Sequence, residues 1–313
     1  MGSGSITAIV PTIGRPESLA RLLESLAAQT RKPDEVIVAD ASTNADVANV
    51  VGRADWRGRG LQVTRVEARP PNAVGQRMKA IAAATGDSLL LLDDDVVLDP
   101  ECVEHLAALL ASDPGIVATC SDYTNDHWPM PPLAWRLYLR WIVGLQEDAW
   151  QGKVVGPLLR FGYHPAPSTP APMQWFGTAN TLVKRSAYDQ AGGFSTFFLR
   201  RSTMNEDVDL SLKVGRFGRI LFCPSARLAH FHAPSGRVTV AEAAEDDLFN
   251  RYQILHQTLG KSRVRAFGDV MVFATIETVS NAIGCVIRLR GNGMWQRSLG
   301  RGRAIARLLT AAS

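Results

Sequence analysis

The stretch LLLLDDDVVLD, from Leu89 to Asp99, places three consecutive carboxylates at the end of an almost wholly apolar run. The run is typical of a buried strand, and the carboxylates belong to Asp93, Asp94 and Asp95. Neighbouring carboxylates repel one another and resist removal from water, so the arrangement requires either open solvent or a cation. A solvated turn is the simpler interpretation and suits Asp99, because Asp is common in turns and helix caps.

The composition is that of an ordinary globular chain of 313 residues, enough for one large domain or two small ones. Hydrophobic residues make up 46% and charged residues 20%, which argues against disorder and against a polytopic membrane protein. The 34 Lys and Arg slightly exceed the 30 Asp and Glu, which suggests an anionic small molecule or a membrane surface as partner and no nucleic acid. The four cysteines form no CxxC pair and no signal peptide precedes the first apolar run, so we expect free thiols and a cytoplasmic location.

The N-terminal third alternates short apolar runs with helical patterns, which predicts an α/β fold with a mainly parallel sheet covered by helices. Strands are predicted over residues 5–12, 34–40, 61–68 and 87–95. Helices are predicted over residues 15–29 and 72–86, and Gly86 is placed to end the second one. The continuous apolar face of the fourth strand predicts a central position in the sheet.

The predicted strand ends indicate where a ligand would bind. Ligands of open α/β sheets lie outside the carboxyl ends of the strands, where Pro11, Thr12, Asp40 and the three aspartates fall. We therefore expect these residues to converge on one crevice. Three carboxylates at such an edge, with Asp40 nearby, favour oxygen ligation of Mn²⁺ or Mg²⁺, which readily bridges a diphosphate. The charge of the triplet would then be neutralised by a metal and its nucleotide.

Seven motifs follow one another over roughly residues 6 to 235. They are IVPTIGRPESLARLLESLAAQT, EVIVADAS, NAVGQRMKAI, LLLLDDDV, WFGTANTLVKRSAYDQAGGF, NEDVDLSLKVGRFG and CPSARLAHFH. In this order and separation they resemble the family 2 glycosyltransferases with the nucleotide-sugar-binding type A fold. The resemblance implies a Rossmann-like, mainly parallel sheet flanked by helices. It implies a catalytic domain over residues 6–240 and a helical C-terminal extension over 241–313.

The resemblance also implies a role for individual residues. The nucleotide sugar would be held by Pro11, Thr12, Arg15, Asp40, Arg77, Asp93 and Asp94. The metal, Mn²⁺ or Mg²⁺, would be held by Asp95 and His230, with His232 as the near alternative because residues two apart on a strand face the same side. Ala41 and Met78 depart from the commoner family pattern, which leaves the base and the sugar open.

The resemblance places the chemistry in the NEDVDLSLKV stretch, with Asp207 as catalytic base and Glu206 orienting the acceptor or its loop. Acidic residues that merely stabilise the start of a helix are the simpler interpretation. A carboxylate base suits the reaction because a sugar hydroxyl becomes a competent nucleophile only as its proton leaves. Trp175, Gly177 and Thr178 are expected on the sugar and acceptor side, where Trp175, or else Phe176, would offer a flat apolar face to a sugar ring. The alternative is that Trp175 and Phe176 are both core residues.

Two later segments carry aromatic and basic residues. A helix from Leu133 would place Trp135, Tyr138, Leu139 and Ile142 on one apolar stripe, and such stripes usually pack in a core or against a partner. The C-terminal segment surrounds an apolar helix with basic residues, and Glu277 and Asn281 interrupt the run, which counts against a spanning helix. We expect either peripheral contact with the inner face of the cytoplasmic membrane or a solvated basic face on a packed helix. The basic residues are Lys261, Arg263, Arg265, Arg288, Arg290, Arg297, Arg301 and Arg303.

The sequence thus favours an inverting, metal-dependent glycosyltransferase that uses a nucleoside-diphosphate-sugar donor. Its expected acceptor is a hydroxyl of a saccharide or glycolipid in bacterial polysaccharide or glycolipid assembly. One alternative is a nucleotidyltransferase that makes nucleotide sugars, although PTIGRPES carries a single Gly where a Gly-rich phosphate loop is expected. The other is a nucleotide-sugar-binding module without turnover. A dehydrogenase is disfavoured because no GxGxxG follows a strand.

Overall fold

The computed structural model describes residues 4–125, 131–145, 152–160, 166–200, 203–232, 238–288 and 293–310. The chain divides into two compact units that alternate along the sequence. The sheet unit comprises the described residues within 1–127, 165–195 and 210–236, and the helical unit those within 128–164, 196–209 and 237–313. Arg290, one of the basic residues of the C-terminal segment, lies outside the described residues, as do Trp128 and Trp150.

The strands, in chain order, are β1 (Ile6–Thr12), β2 (Glu35–Asp40), β3 (Val63–Glu67), β4 (Ser88–Leu92), β5 (Val96–Leu98), β6 (Ile116–Tyr123), β7 (Val154–Val155), β8 (Leu159–Arg160), β9 (Ala171–Met173), β10 (Asn180–Lys184) and β11 (Arg219–His230). The helices are α1 (Pro16–Ala27), α2 (Asp46–Val51), α3 (Asp55–Gly58), α4 (Ala73–Ala83), α5 (Cys102–Ala111), α6 (Leu133–Tyr138), α7 (Arg185–Gln190), α8 (Glu206–Val214), α9 (Val240–Gln253), α10 (Arg263–Arg288) and α11 (Met294–Thr310). The division between the two units falls inside α8, after Asp209.

In the described part of the chain, nine strands form one mixed sheet in the order β3-β2-β1-β4-β10-β6-β11-β5, with β9 also paired to β11. The predicted parallel arrangement holds for β3-β2-β1-β4 and for β6 with β11. Strands β5, β9 and β10 run against their neighbours, so the sheet is less parallel than the βαβ rhythm predicts. The predicted central position of β4 is confirmed, because β4 lies between β1 and β10.

The strand register brings the predicted ligand residues to one edge. Thr12 is aligned with Asp40 across the β1–β2 pair, and β4 ends beside β1, so the acidic triplet follows at the same carboxyl edge. On the other side, Asn180 of β10 pairs with Leu92 of β4. The short β5 turns back along β11 and aligns Val96 with His230.

The core explains why these elements form. Leu89 to Leu92 are fully buried in β4, and α1 buries its leucines at helical spacing behind a Pro16 first turn, as the sequence predicts. Gly86 has a different role from the predicted one, since α4 ends at Ala83 with Ala84 in extended backbone. Instead, a Cβ on Gly86 would lie 2.7 Å from the Thr7 amide nitrogen, so glycine allows the chain to enter β4 directly against β1.

In the helical unit, α6 starts at Leu133 as predicted and buries Trp135 and Leu139. The backbone then makes a π turn over Leu139–Val143, which inserts one residue into the helical period. The predicted stripe is therefore wrong at Ile142, which is 72% exposed, and Val143 packs against Leu139 in its place.

The long helices of this unit are connected by a partly buried carboxylate. Glu277 of α10 accepts a hydrogen bond from Trp135 Nε1 at 2.7 Å and one from Arg301 Nη2 of α11 at 3.1 Å. Burial lowers the pKa of the Arg301 guanidinium, and the Glu277 charge opposes that effect. Glu277 therefore interrupts the apolar run of α10 to satisfy two buried donors. None of the described helices combines the length and the hydropathy of a membrane-spanning segment.

Helix α11 packs closely on α9. A Cβ on Gly300 would collide with the Ala241 carbonyl oxygen, so glycine is required where these backbones meet. The inward side of α11 buries Gly300, Arg301, Ala304 and Leu308.

Candidate active site

The negative charge of the acidic triplet is offset by cationic side chains from two helices. Asp93 accepts a hydrogen bond from Arg77 Nη2 of α4, whose side chain is buried. Asp94 Oδ1 lies 3.1 Å from Arg15 Nη1, at the start of α1. Asp95 Oδ2 lies 3.8 Å from the same Arg15 nitrogen. The three carboxylates are thus placed at the end of a buried strand because two guanidinium groups converge on them.

Asp94 is the most deeply placed carboxylate of the triplet. It is 2% exposed and accepts a hydrogen bond from Thr12 Oγ1 at 2.6 Å. Burial raises the pKa of Asp94 to about 6, the Thr12 hydroxyl and Arg15 lower it, and the charges of Asp93 and Asp95 raise it further. Its carboxylate therefore carries an energetic cost that further positive charge at this edge would reduce.

Three side chains at this edge form a set suited to a divalent cation. One oxygen each of Asp93 and Asp95 and one ring nitrogen of His230 lie within 4.8 Å of one another. Two carboxylates with one imidazole are a donor set that suits Mn²⁺ and related metals. The residues present fit a metal, and the set adds Asp93, predicted as a nucleotide contact, to the predicted ligands Asp95 and His230.

His230 is held in place by its neighbours. Its Nε2 lies 3.0 Å from Asp95 Oδ1, and its ring stacks on Tyr123 with ring centroids 5.8 Å apart. Asn125 fixes the backbone at this point, because it accepts from His230 N at 2.8 Å and donates to His230 O at 3.0 Å. The His232 ring is 4.0 Å from the His230 ring, so both histidines approach the same place.

Asp40 lies at the same edge but is committed to local partners. Its side chain is fully buried, pairs with Arg65 Nη1 of β3 at 2.9 Å and accepts from the Ser42 amide at 2.8 Å. Gln76 of α4 donates to the carbonyls of Thr12 and Ala39, both at 2.8 Å, and so joins the ends of β1 and β2. These bonds hold the ends of β1 and β2 in place. A role of Pro11, Thr12 and Asp40 in nucleotide binding stays a prediction.

The residues predicted for the sugar and acceptor side lie before β10. Arg77 Nη2 is 3.4 Å from the Thr178 carbonyl oxygen, which links this segment to the acidic triplet. A Cβ on Gly177 would lie 2.9 Å from Asn180 Oδ1 and 3.2 Å from the Tyr123 hydroxyl, so glycine is needed here. Trp175 is 4% exposed and Phe176 is fully buried, and the contact of Trp175 with a sugar stays a prediction.

Glu206 and Asp207 belong to the helical unit, where they begin α8. Both are half-buried, and Asp207 Oδ1 accepts from the Val208 amide at 2.8 Å. The preceding Asn205 is buried and adopts a left-handed backbone conformation, with φ of +69°. The first-turn position of Glu206 and Asp207 agrees with the interpretation that they stabilise the start of a helix. Their catalytic roles stay predictions.

Three residues at this edge were missed by sequence reasoning: Arg65, Tyr123 and Asn125. Tyr123 ends β6 and Asn125 follows two residues later, so the strand-end rule would find them once β6 is predicted. Arg65 lies inside β3 and pairs with Val38 of β2, a register that only the folded sheet reveals.

The fold and the residues at the carboxyl edge of the sheet indicate the class of protein. The structure is similar to a solved mannosyltransferase from Pyrobaculum calidifontis in complex with GDP-Man and Mn²⁺, with a TM-score of 0.54 and 17% identity. The match covers 100% of this chain and 87% of that protein. The fold is therefore that of the type A glycosyltransferases, a mixed sheet flanked by helices with a helical C-terminal part.

Residues 7–162 match the family model described as Glycosyl transferase family 2. The chain carries a glycosyltransferase domain that belongs to this family.

Two curated relatives extend the match. An uncharacterised protein of Sinorhizobium fredii is 27% identical over 238 residues, which are 75% of this chain and 25% of the relative. A glucosyl-dolichyl phosphate glucuronosyltransferase of Haloferax volcanii is 25% identical over 202 residues, which are 61% of this chain and 56% of the relative. The chain thus corresponds to a quarter of one relative and about half of the other.

Proposed function

We propose that the chain is an inverting, metal-dependent glycosyltransferase that moves a sugar from a nucleoside diphosphate to a hydroxyl of a saccharide or lipid-linked saccharide. The observation that carries the proposal is the meeting of Asp93, Asp95 and His230 at the carboxyl edge of the sheet. The Haloferax volcanii relative is a glucosyl-dolichyl phosphate glucuronosyltransferase, which supports a lipid-linked acceptor for this chain. The setting that the family resemblance suggests, and that we propose, is bacterial polysaccharide or glycolipid assembly.

The donor is proposed to lie along the sheet edge. Asp40 and the ends of β1 and β2 would face the base and ribose, and Arg15 and Arg77 would bring positive charge to the diphosphate side. Asp93, Asp95 and His230 would hold Mn²⁺ or Mg²⁺, which when bound offsets the negative charge of the diphosphate leaving group. Asp94, held by Thr12 and Arg15, would keep Arg15 in position.

Asp207 is proposed as the general base. Its carboxylate would accept the proton of the acceptor hydroxyl while that oxygen bonds to the anomeric carbon. The bond from this carbon to the phosphate oxygen breaks on the opposite face, and its electron pair leaves with the diphosphate. One displacement inverts the configuration, so no covalent enzyme intermediate is required. Glu206 would orient the acceptor or its loop.

The proposed function is tested by donor binding followed by turnover. UDP- and GDP-sugars are screened by thermal shift with Mn²⁺, because a ligand that binds the native state raises its stability. Donor that binds is then incubated with saccharide or glycolipid acceptors, and release of the nucleoside diphosphate is measured. A binding module would protect the donor without consuming it, and a nucleotidyltransferase would release pyrophosphate from a nucleoside triphosphate and a sugar phosphate. Either result would contradict the proposal.

The metal part of the proposal has its own test. Asp95→Asn should remove the dependence of donor affinity on Mn²⁺, whereas Glu101→Gln, at a side chain that is 68% exposed, should leave it unchanged. Calorimetric titration of donor with and without Mn²⁺ measures both. Equal donor affinity with and without Mn²⁺ in the unmodified protein would contradict the metal assignment.

We also propose that residues 6–240 hold the transfer chemistry and that residues 241–313 include a face for the inner surface of the cytoplasmic membrane. Trp295, Leu299 and Leu309 are 80%, 54% and 57% exposed and share one side of α11 by their spacing. Arg297 and Arg303 are exposed on the same helix. By the same spacing Arg303 lies next to the apolar stripe, and an exposed apolar stripe with a basic neighbour suits the surface of an anionic membrane.

Sedimentation with phosphatidylglycerol vesicles tests this face. The double variant Trp295→Ser, Leu299→Ser should lose vesicle binding, because burial of each apolar side chain contributes about 1.5 to 3 kcal/mol. Phe217→Ser, at a 45% exposed residue of the sheet unit, is the matched control. Failure of the unmodified protein to bind the vesicles would end the proposal.

A further inference from the structure

We propose that α9 and the turn after it position the segment that carries Glu206 and Asp207, and that Asp247, Asn250 and Thr258 are its positioning residues. The inference rests on the proposed function of Asp207. It makes the C-terminal helices part of the catalytic arrangement in addition to any role in attachment.

The contacts begin just before the two acidic residues. Asn205 Nδ2 donates to Asp247 Oδ1 of α9 at 2.7 Å, and Asn250 Nδ2 donates to the Met204 carbonyl at 3.0 Å. Asn205 is one of the residue types that adopt the left-handed conformation most readily, and its side chain is anchored while it does so. The backbone direction that enters α8 is therefore set by two side chains of α9.

Asp247 is itself held in place. The same Oδ1 accepts from Arg251 Nη2 at 2.9 Å, and Arg251 Nη1 donates to the Pro157 carbonyl at 3.1 Å and to the Leu158 carbonyl. The Arg251 guanidinium also lies 3.8 Å from the centroid of the Phe273 ring. Asp247 thus has little freedom to follow a displacement of Asn205.

A third contact fixes the other side of the acidic pair. The Thr258 hydroxyl, in the π turn Ile254–Thr258 after α9, donates to Asp209 Oδ1. Asp209 is fully buried, so this bond forms away from solvent. Met204 and Asn205 before the pair and Asp209 after it are therefore all bonded to one continuous helical stretch.

This arrangement matters because a general base acts only within hydrogen-bond reach of its proton, and a displacement of about 1 Å can cost on the order of 100-fold in rate. The residues proposed for the donor belong to the sheet unit. Loss of the positioning bonds should therefore lower kcat and leave the donor dissociation constant nearly unchanged.

Two pairs of variants test the inference in the full chain. Thr258→Val removes the hydroxyl at nearly constant shape, whereas Thr258→Ser keeps the hydroxyl. Asn205→Gly removes the amide donor while keeping access to the left-handed backbone, and Gly302→Ala serves as a control on an exposed helical residue. We expect kcat to fall roughly 10- to 100-fold in Thr258→Val and Asn205→Gly. Thr258→Ser and Gly302→Ala should keep kcat within about twofold, and calorimetry should give similar donor dissociation constants throughout.

The outcomes separate this inference from the proposed function. Normal kcat in both Thr258→Val and Asn205→Gly would overturn it, as would a parallel loss of kcat, donor affinity and melting temperature, which indicates general destabilisation. Asp207→Asn is measured beside them. If Asp207→Asn is inactive while the positioning variants are normal, only the positioning inference fails; if Asp207→Asn is fully active, the proposed base itself fails.

Discussion

Replacing Asp94 by Asn should stabilise the metal-free protein at neutral pH. Burial raises the pKa of Asp94 to about 6 from an ordinary value of 3.8, so the folded state favours the protonated carboxyl. Between these two pKa values the folded protein binds more protons than the unfolded chain, and stability therefore falls as pH rises through this window. The difference of about 2 pKa units corresponds to roughly 3 kcal/mol above pH 6, as an upper estimate. Asn resembles the protonated carboxyl and is free of this cost.

The assay is urea unfolding in EDTA, at pH 4 and at pH 7.5, for the unmodified protein and the Asp94→Asn variant. The free energies of unfolding should be similar at pH 4 and should differ by about 1 to 3 kcal/mol in favour of the variant at pH 7.5. Glu101→Gln, at an exposed side chain, should show no such pH-dependent gain. If Asp94→Asn is no more stable than the unmodified protein at pH 7.5, the carboxylate carries no burial cost and the account of the acidic triplet is wrong.

Three further predictions concern catalysis, acid stability and helix packing. Asp207→Asn should lower kcat by about 10²- to 10⁴-fold with donor affinity retained, and an inactive Glu206→Gln beside an active Asp207→Asn would move the base by one residue. Burial tends to raise the pKa of Glu35, but hydrogen bonds from Thr7, Thr85 and Gly86 hold it below 4.5, so its contribution to stability is present above pH 4.5 and is lost as pH falls further. In urea unfolding, Glu35→Gln should therefore lose stability at pH 7 and less at pH 3; a constant loss would contradict this. Gly300→Ala should lower the melting temperature because its Cβ would meet the Ala241 carbonyl, whereas an equal effect of Gly302→Ala, which has open space, would show that the close approach is unimportant.

The parallel half of the sheet and its ligand edge could be predicted because they depend on local patterns. Continuous apolar runs identified β4, leucine spacing identified α1, and strand ends marked the acidic triplet. The reversed β10 and the short β5 could not be predicted, since their directions depend on pairing with strands far away in the chain. Sequence separation hides such pairings from any local pattern.

Prediction of the site is limited in the same way, because contacts between distant residues leave no local pattern. Asp93 to Asp95 and His230 were found from motifs, and the structure brings all four to one edge. Their supporting partners were not found, because Arg65 and Asn125 gain meaning only from the residues beside them. The π turn after α6 was missed because one inserted residue changes the face of Ile142 without changing the composition.

The helical unit is built from three separate stretches of the chain, and this has a consequence for recombination between relatives. A hybrid protein with a single junction near residue 240 would take its C-terminal helices from one parent and the short 196–209 stretch from the other. The bonds from Asp247 and Asn250 to Asn205 and Met204 would then join mismatched sequences. A functional hybrid should therefore exchange both stretches at once, and natural variation in the short stretch should follow that of α9 more closely than that of the sheet around it.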